Sequence, residues 1–161
     1  MQTFSSVRRN STDKKYLKNI ILSICCIVYV CITDIFYLLP PLFGVIYILS
    51  QEYYEQHEYG AFYILVPYFI FFEASKGLLF LSSILFIVFS FKIVLPKFRR
   101  LFGYSKIFIP LFIFYAYFGY FAFLYLFSYL FDYPSPTFSF ILVFYSIIES
   151  MLIWIFLWIF V

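Results

Sequence analysis

Hydrophobic positions in this chain form long unbroken blocks, Tyr16 to Ser50, Ala61 to Leu95, Ile107 to Phe131 and Phe138 to Val161, parted by short polar segments. Only helices and closed barrels satisfy their own backbone hydrogen bonds in hydrocarbon, and these blocks lack the every-second-residue alternation of a barrel strand. The pattern predicts an all-α integral membrane protein. As one helix the first block would be about 52 Å long, against a hydrocarbon core of about 30 Å, so it must break. Pro40-Pro41 removes two backbone donors and disfavours helix at the preceding residue, which places the break at Leu38 to Pro41 and starts a second, short helix at Leu42 to Ser50. The polar segment QEYYEQHEYG follows as a loop. Block Ala61 to Leu95 is interrupted by Glu73-Ala74-Ser75-Lys76-Gly77 and reads as two passes joined by a polar turn. The expectation is about six transmembrane segments, the second and third short or partly re-entrant; four long kinked helices fit the charge pattern as well.

Charge orients these segments. Residues 1–15 carry Arg8, Arg9, Lys14 and Lys15, with Lys18 just beyond, and form a basic cytoplasmic tail ahead of a single membrane domain, 16–161. A second basic cluster, Lys92, Lys97, Arg99, Arg100 and Lys106, belongs on the same side, with Lys97 to Lys106 as a cytoplasmic basic loop. The turn-rich segment Asp132-Tyr133-Pro134-Ser135-Pro136-Thr137 has no positive charge and belongs outside. Phe138 to Val161 then returns the chain, with Trp154 and Trp158 as interfacial anchors, so both termini are cytoplasmic.

Composition narrows the function classes. Of 161 residues 65% are hydrophobic and 12% charged, too little polar surface to cover a water-soluble globule. The net charge of +3 sits beside apolar runs, a topogenic pattern rather than a nucleic-acid surface. Phe and Tyr, 26 and 17 residues, are so frequent that aromatic stripes say little about cofactors. Cys25, Cys26 and Cys31 share one apolar segment with no zinc-like spacing and read as small membrane residues. Leu22-Ser23-Ile24-Cys25 has a large residue where a lipoprotein signal needs a small one, and Asn10-Ser11-Thr12 lies on a tail that glycosylation enzymes would not meet.

Four ionisable residues lie inside apolar runs: Asp34, Glu73, Lys76 and Glu149. Each costs roughly 2.5 to 3.5 kcal/mol at a bilayer centre, so each should face protein, water or an interface, and these are the candidate intramembrane interaction residues. Glu73 and Lys76 are spaced to neutralise each other on one helix face, or to form a charged surface turn with Ser75 and Gly77. Glu149, flanked by Ser146 and Ser150 near the middle of the last segment, is either a contact to another helix or partner, a proton or cation ligand, or a carboxyl held neutral by a serine hydroxyl. The group Glu52, Glu55, His57 and Glu58 has metal-ligating chemistry without a ligand spacing and reads as a solvated loop face. The sequence has no hydrolase serine motif, phosphate-binding glycine loop, HExxH or CxxC, so neither a catalytic site nor a metal or cofactor site is expected.

A hydrophobic first helix, a proline-led short second segment at Pro40-Pro41-Leu42-Phe43, an acidic residue about thirty positions later in FFEASKGLLFLSS, and a helix ending in a basic stretch together resemble the MreD family of bacterial rod-shape-determining membrane proteins. The similarity spans Asn19 to Arg100, with Glu73, Ser75, Gly77 and Leu78 in the places of that family's acidic, small-residue turn; Glu stands here for the family's Asp. The resemblance implies a non-catalytic inner-membrane scaffold of the cell-elongation machinery, with both termini in the cytoplasm. Its partners would be the bilayer, MreC, and the polymerase and transpeptidase that build sidewall peptidoglycan. The alternatives are the small-molecule-binding membrane subunit of an energy-coupling-factor transporter, and a lineage-specific membrane protein of no known family.

Overall fold

In a computed structural model of the chain, described at residues 17, 20, 21, 23–57, 59–103 and 108–160, all regular structure among the described residues is helical. The helices are α1 (Ser23–Ile35), α2 (Phe43–Glu55), α3 (Tyr59–Lys76), α4 (Ser82–Phe89), a π-helical turn (Ser90–Val94), α5 (Leu95–Phe102), α6 (Ile109–Phe131) and α7 (Ile141–Phe160). α4, the π turn and α5 form one continuous run, so the described chain has six helical runs. α6 is long and apolar enough to cross a membrane; Ser23–Ile35 and Ile141–Ile155 are shorter apolar helices.

The breaks fall close to where prolines and glycines demand them. α1 ends at Ile35, and residues 36–42 carry the chain through Pro40-Pro41 into α2. Gly77, at φ 62°, closes α3 with the paired bonds of a Schellman cap: Leu78 N–H to Glu73 O at 2.9 Å and Gly77 N–H to Ala74 O at 3.4 Å. Asp132, at φ 52°, ends α6 likewise, with Tyr133 N–H on Ser128 O at 3.2 Å.

Three boundaries differ from the sequence reading. Gln51 to Glu55, assigned to the polar loop, complete α2, so only residues 56–58 part it from α3. Gln51 donates to Glu55 one turn on at 3.2 Å and Arg99 holds Glu55, so these polar side chains satisfy each other on helical spacing. Glu73 to Lys76 form the last turn of α3 rather than the connecting turn, which is residues 77–81. Lys97, Arg99 and Arg100 belong to α5, not to a loop; Lys106 and the tail 1–15 lie outside the described residues. The helix continues past Pro96 because the preceding turn widens to π geometry, which relieves the clash of the proline ring with the carbonyl one turn back.

Side-chain bonds gather three connections at one end of the bundle. Lys76 meets Asp34 at 2.6 Å, Tyr133 Oη donates to Gly77 O at 3.1 Å, and Tyr145 Oη donates to Tyr37 O. Loops 36–42, 77–81 and 132–140 therefore sit together. At the opposite end Arg99 forms a bidentate pair with Glu55 at 2.6 and 2.8 Å and lies over the Phe112 ring. The core is aromatic: Phe43 stacks on Tyr120 with ring centroids 4.8 Å apart and packs against Phe72 and Tyr117, while Tyr47 packs on Phe86 and Phe91.

Candidate functional site

The start of α2 is buried well inside the bundle. Tyr29 in α1 and Tyr68 in α3 donate to Pro40 O and Pro41 O at 2.8 and 2.6 Å, so the proline loop dips between helices instead of staying at their ends. A helix N-terminus leaves its first amide N–H groups without partners, and burial there demands an acceptor. Leu42, the residue before α2, has no side chain that can supply one and is held at φ 60°, a left-handed conformation unfavourable for leucine.

Glu149 supplies the acceptor from 105 residues away. Its Oε2 accepts from Gly44 N–H at 2.9 Å and Val45 N–H at 3.1 Å, and its Oε1 accepts from Tyr117 Oη. The residue has no exposed surface. A carboxylate at a helix N-terminus also meets the positive end of the helix dipole. The approach requires glycine at 44: a Cβ there would lie 2.7 Å from Ile113 Cγ2 and 2.8 Å from Glu149 Oε2.

The same device recurs at α4. Leu81 precedes the helix at φ 65° with no cap of its own, and Glu73 from α3 closes the end. Glu73 Oε2 accepts from Leu81 N–H at 2.6 Å, and Oε1 accepts from Ser83 N–H at 2.5 Å and Ser82 Oγ at 3.2 Å. Tyr120 joins this group, its hydroxyl 2.8 Å from Ser82 Oγ and 3.0 Å from Ser83 Oγ. Tyr117 and Tyr120, one turn apart on α6, thus each serve one glutamate-capped helix start, with Phe43 packed between them.

The four sequence candidates therefore separate. Glu73 does not neutralise Lys76: it turns inward to α4, while Lys76 reaches across to Asp34 on α1, both about one-third exposed. Glu149 does contact another helix, α2 of its own chain, and is held by Tyr117 and backbone amides rather than by a serine; Ser146 and Ser150 donate to carbonyls of their own helix. Gly44, Tyr117, Tyr120, Ser82 and Ser83 were not singled out from the sequence, where a glycine after a double proline was the one available signal. Of the basic group, Arg99 pairs with Glu55, whereas Lys97 and Arg100 are exposed. Among the described residues no three metal-ligating side chains come together: Glu55 is taken by Arg99, and Glu52 accepts from Gln56 at 3.1 Å.

Beneath loop 132–140 lies a cavity of about 230 Å³, walled by Phe43, Phe72, Tyr117, Tyr120 and Leu142, with Lys76 on its lining. A second, of about 190 Å³ between loops 77–81 and 132–140, shares Leu78, Leu124 and Pro136 with it. The walls are apolar and aromatic, suited to excluding water and to holding a hydrocarbon body. Comparison with protein families, curated proteins and solved structures finds no match to this chain.

Proposed function

We propose that this chain is a six-pass bacterial inner-membrane protein, similar to MreD, that acts without catalysis as a scaffold of the cell-elongation machinery. The observation that carries the membrane reading is an inverted distribution of polarity. Along α7, Ser146 and Glu149 are fully buried, whereas Met151, Trp154 and Ile155 are 61%, 59% and 56% exposed. Outward Ile24, Val28, Ile32 and Ile35 repeat the pattern on α1. Water would oppose such an arrangement and hydrocarbon would favour it.

Support for a scaffold comes from how the buried carboxylates are used. Both Glu73 and Glu149 are consumed in closing helix ends, so neither is presented to a substrate, and the outward surfaces include apolar helix faces and the exposed cations Lys97 and Arg100 of α5. In this reading the apolar faces pack against partner helices, while Lys97 and Arg100 face cytoplasmic partners or anionic lipid heads. The positive-inside tendency then places α5, the α2–α3 turn and both termini in the cytoplasm.

The cavity favours a second reading, a small-molecule-binding transporter subunit. Its apolar walls suit such a role poorly if the ligand is polar. Affinity purification of the tagged chain from its host's membranes in mild detergent, followed by mass spectrometry, separates the two. The scaffold reading expects MreC and the wall-elongation enzymes; recovery of transporter ATPases, or of none of these partners, would overturn it.

A further inference from the structure

We infer that the cavity beneath loop 132–140 seats one hydrocarbon chain of a phospholipid, whose phosphate is held by Lys76 at the rim. The inference rests on the membrane reading above, which supplies the lipid.

Of the five hydroxyl-bearing residues on the wall, four are engaged within the protein, and the fifth, Thr137, lies on the exposed loop. Tyr117 donates to Glu149, Tyr120 bonds Ser82 and Ser83, Tyr145 donates to Tyr37 O, and Ser139 Oγ accepts from Ile141 N–H at 3.4 Å. An occupant therefore meets mainly phenyl and aliphatic surface, from Phe43, Phe72, Phe121, Leu124 and Leu142, and a polar body would lose most of its hydrogen bonds to water without replacement. The adjoining cavity shares Leu78, Leu124 and Pro136, which extends the apolar path along the loop as a flexible chain requires.

Lys76 gives the site its polar end. Its ammonium has three donors, of which Asp34 takes one at 2.6 Å, and its side chain is 34% exposed, so a head group outside the cavity can reach it. Asp34 offsets the lysine's charge. What Lys76 offers is hydrogen-bond donation to a phosphate oxygen, so the site selects for the phosphate ester rather than for net head-group charge.

Native mass spectrometry of the full chain in detergent, with added phosphatidylglycerol or diacylglycerol of matched chains, tests this. The expected result is one phosphatidylglycerol retained per protein and about tenfold weaker retention of diacylglycerol, the effect of a lost charge-assisted hydrogen bond. Lys76→Met should bring phosphatidylglycerol down to the diacylglycerol level, and Leu142→Trp, which fills the cavity, should abolish both. Thr137→Trp fills it from the loop and replaces that variant where Leu142→Trp does not fold. Equal retention of the two lipids by the wild type, or full retention by a folded filled variant, overturns the inference. A chain that purifies from the soluble fraction without detergent ends the membrane reading itself; one extracted from membranes that fails the lipid test ends only this inference.

Discussion

Glu149→Ala should lower stability by about 3 kcal/mol, roughly a hundredfold in the folded-to-unfolded ratio, measured by equilibrium unfolding of the purified protein in mixed micelles. The substitution strands Gly44 N–H, Val45 N–H and Tyr117 Oη together, with Gly44 and Tyr117 buried and Val45 partly so. Each unsatisfied buried group costs about 1–3 kcal/mol, and the sum is reduced because a chain unfolded within micelles finds other partners. Glu149→Gln keeps an acceptor for the two amides and an NH₂ that Tyr117 can accept, and should cost only about 1 kcal/mol. Glu149→Met, which keeps the bulk but removes the acceptors, should cost about as much as Ala and so separates capping from mere packing. Stability of Glu149→Met close to that of Glu149→Gln would mean that volume, not hydrogen bonding, is what Glu149 contributes.

For the second glutamate the same experiment should give a smaller effect. Glu73→Ala releases Leu81 N–H, Ser83 N–H and Ser82 Oγ, but Tyr120 still bonds both serine hydroxyls, and Leu81 is exposed enough for solvent or lipid head groups to reach the helix start. A loss of about 2 kcal/mol is expected, in line with removal of an N-cap together with one buried acceptor. Glu73→Gln should recover only part of it, because its NH₂ must face one of the two backbone N–H groups that the carboxylate oxygens accept. Stability of Glu73→Ala within experimental error of the wild type would show that α4 does not depend on a cap from α3.

These two residues mark the division between what the chain announces and what folding adds. Both were legible as costly charges in apolar runs, and Pro40-Pro41 and Gly77 marked the breaks of the two long blocks, because proline and glycine act on the backbone wherever they stand. Their partners were not legible. The bond from Glu149 to Gly44 spans 105 residues, and no local rule selects which helix start a distant carboxylate will close. The i, i+3 spacing of Glu73 and Lys76 offered a local pair or a charged surface turn, yet the end of α3 turns one side chain in toward α4 and the other out toward Asp34. Tyr117 and Tyr120 were hidden for a different reason: among 17 tyrosines, the two whose hydroxyls serve the capped helix starts cannot be told from the rest by composition. The polar segment after Ser50 misled because helix continues through Gln51 to Glu55 once Arg99, some 44 residues later, takes up the Glu55 charge.

We propose that the six helical runs alternate across a membrane, with loops 36–42, 77–81 and 132–140 on one side and the α2–α3 turn on the other. Single cysteines at His57 and at Ser135, introduced after Cys25, Cys26 and Cys31 are replaced, report the two sides when intact cells are treated with a membrane-impermeant thiol reagent. The account predicts labelling at Ser135 from outside, and at His57 only after the cytoplasmic face is opened. Labelling of both from outside would contradict it and restore four long crossings in place of six.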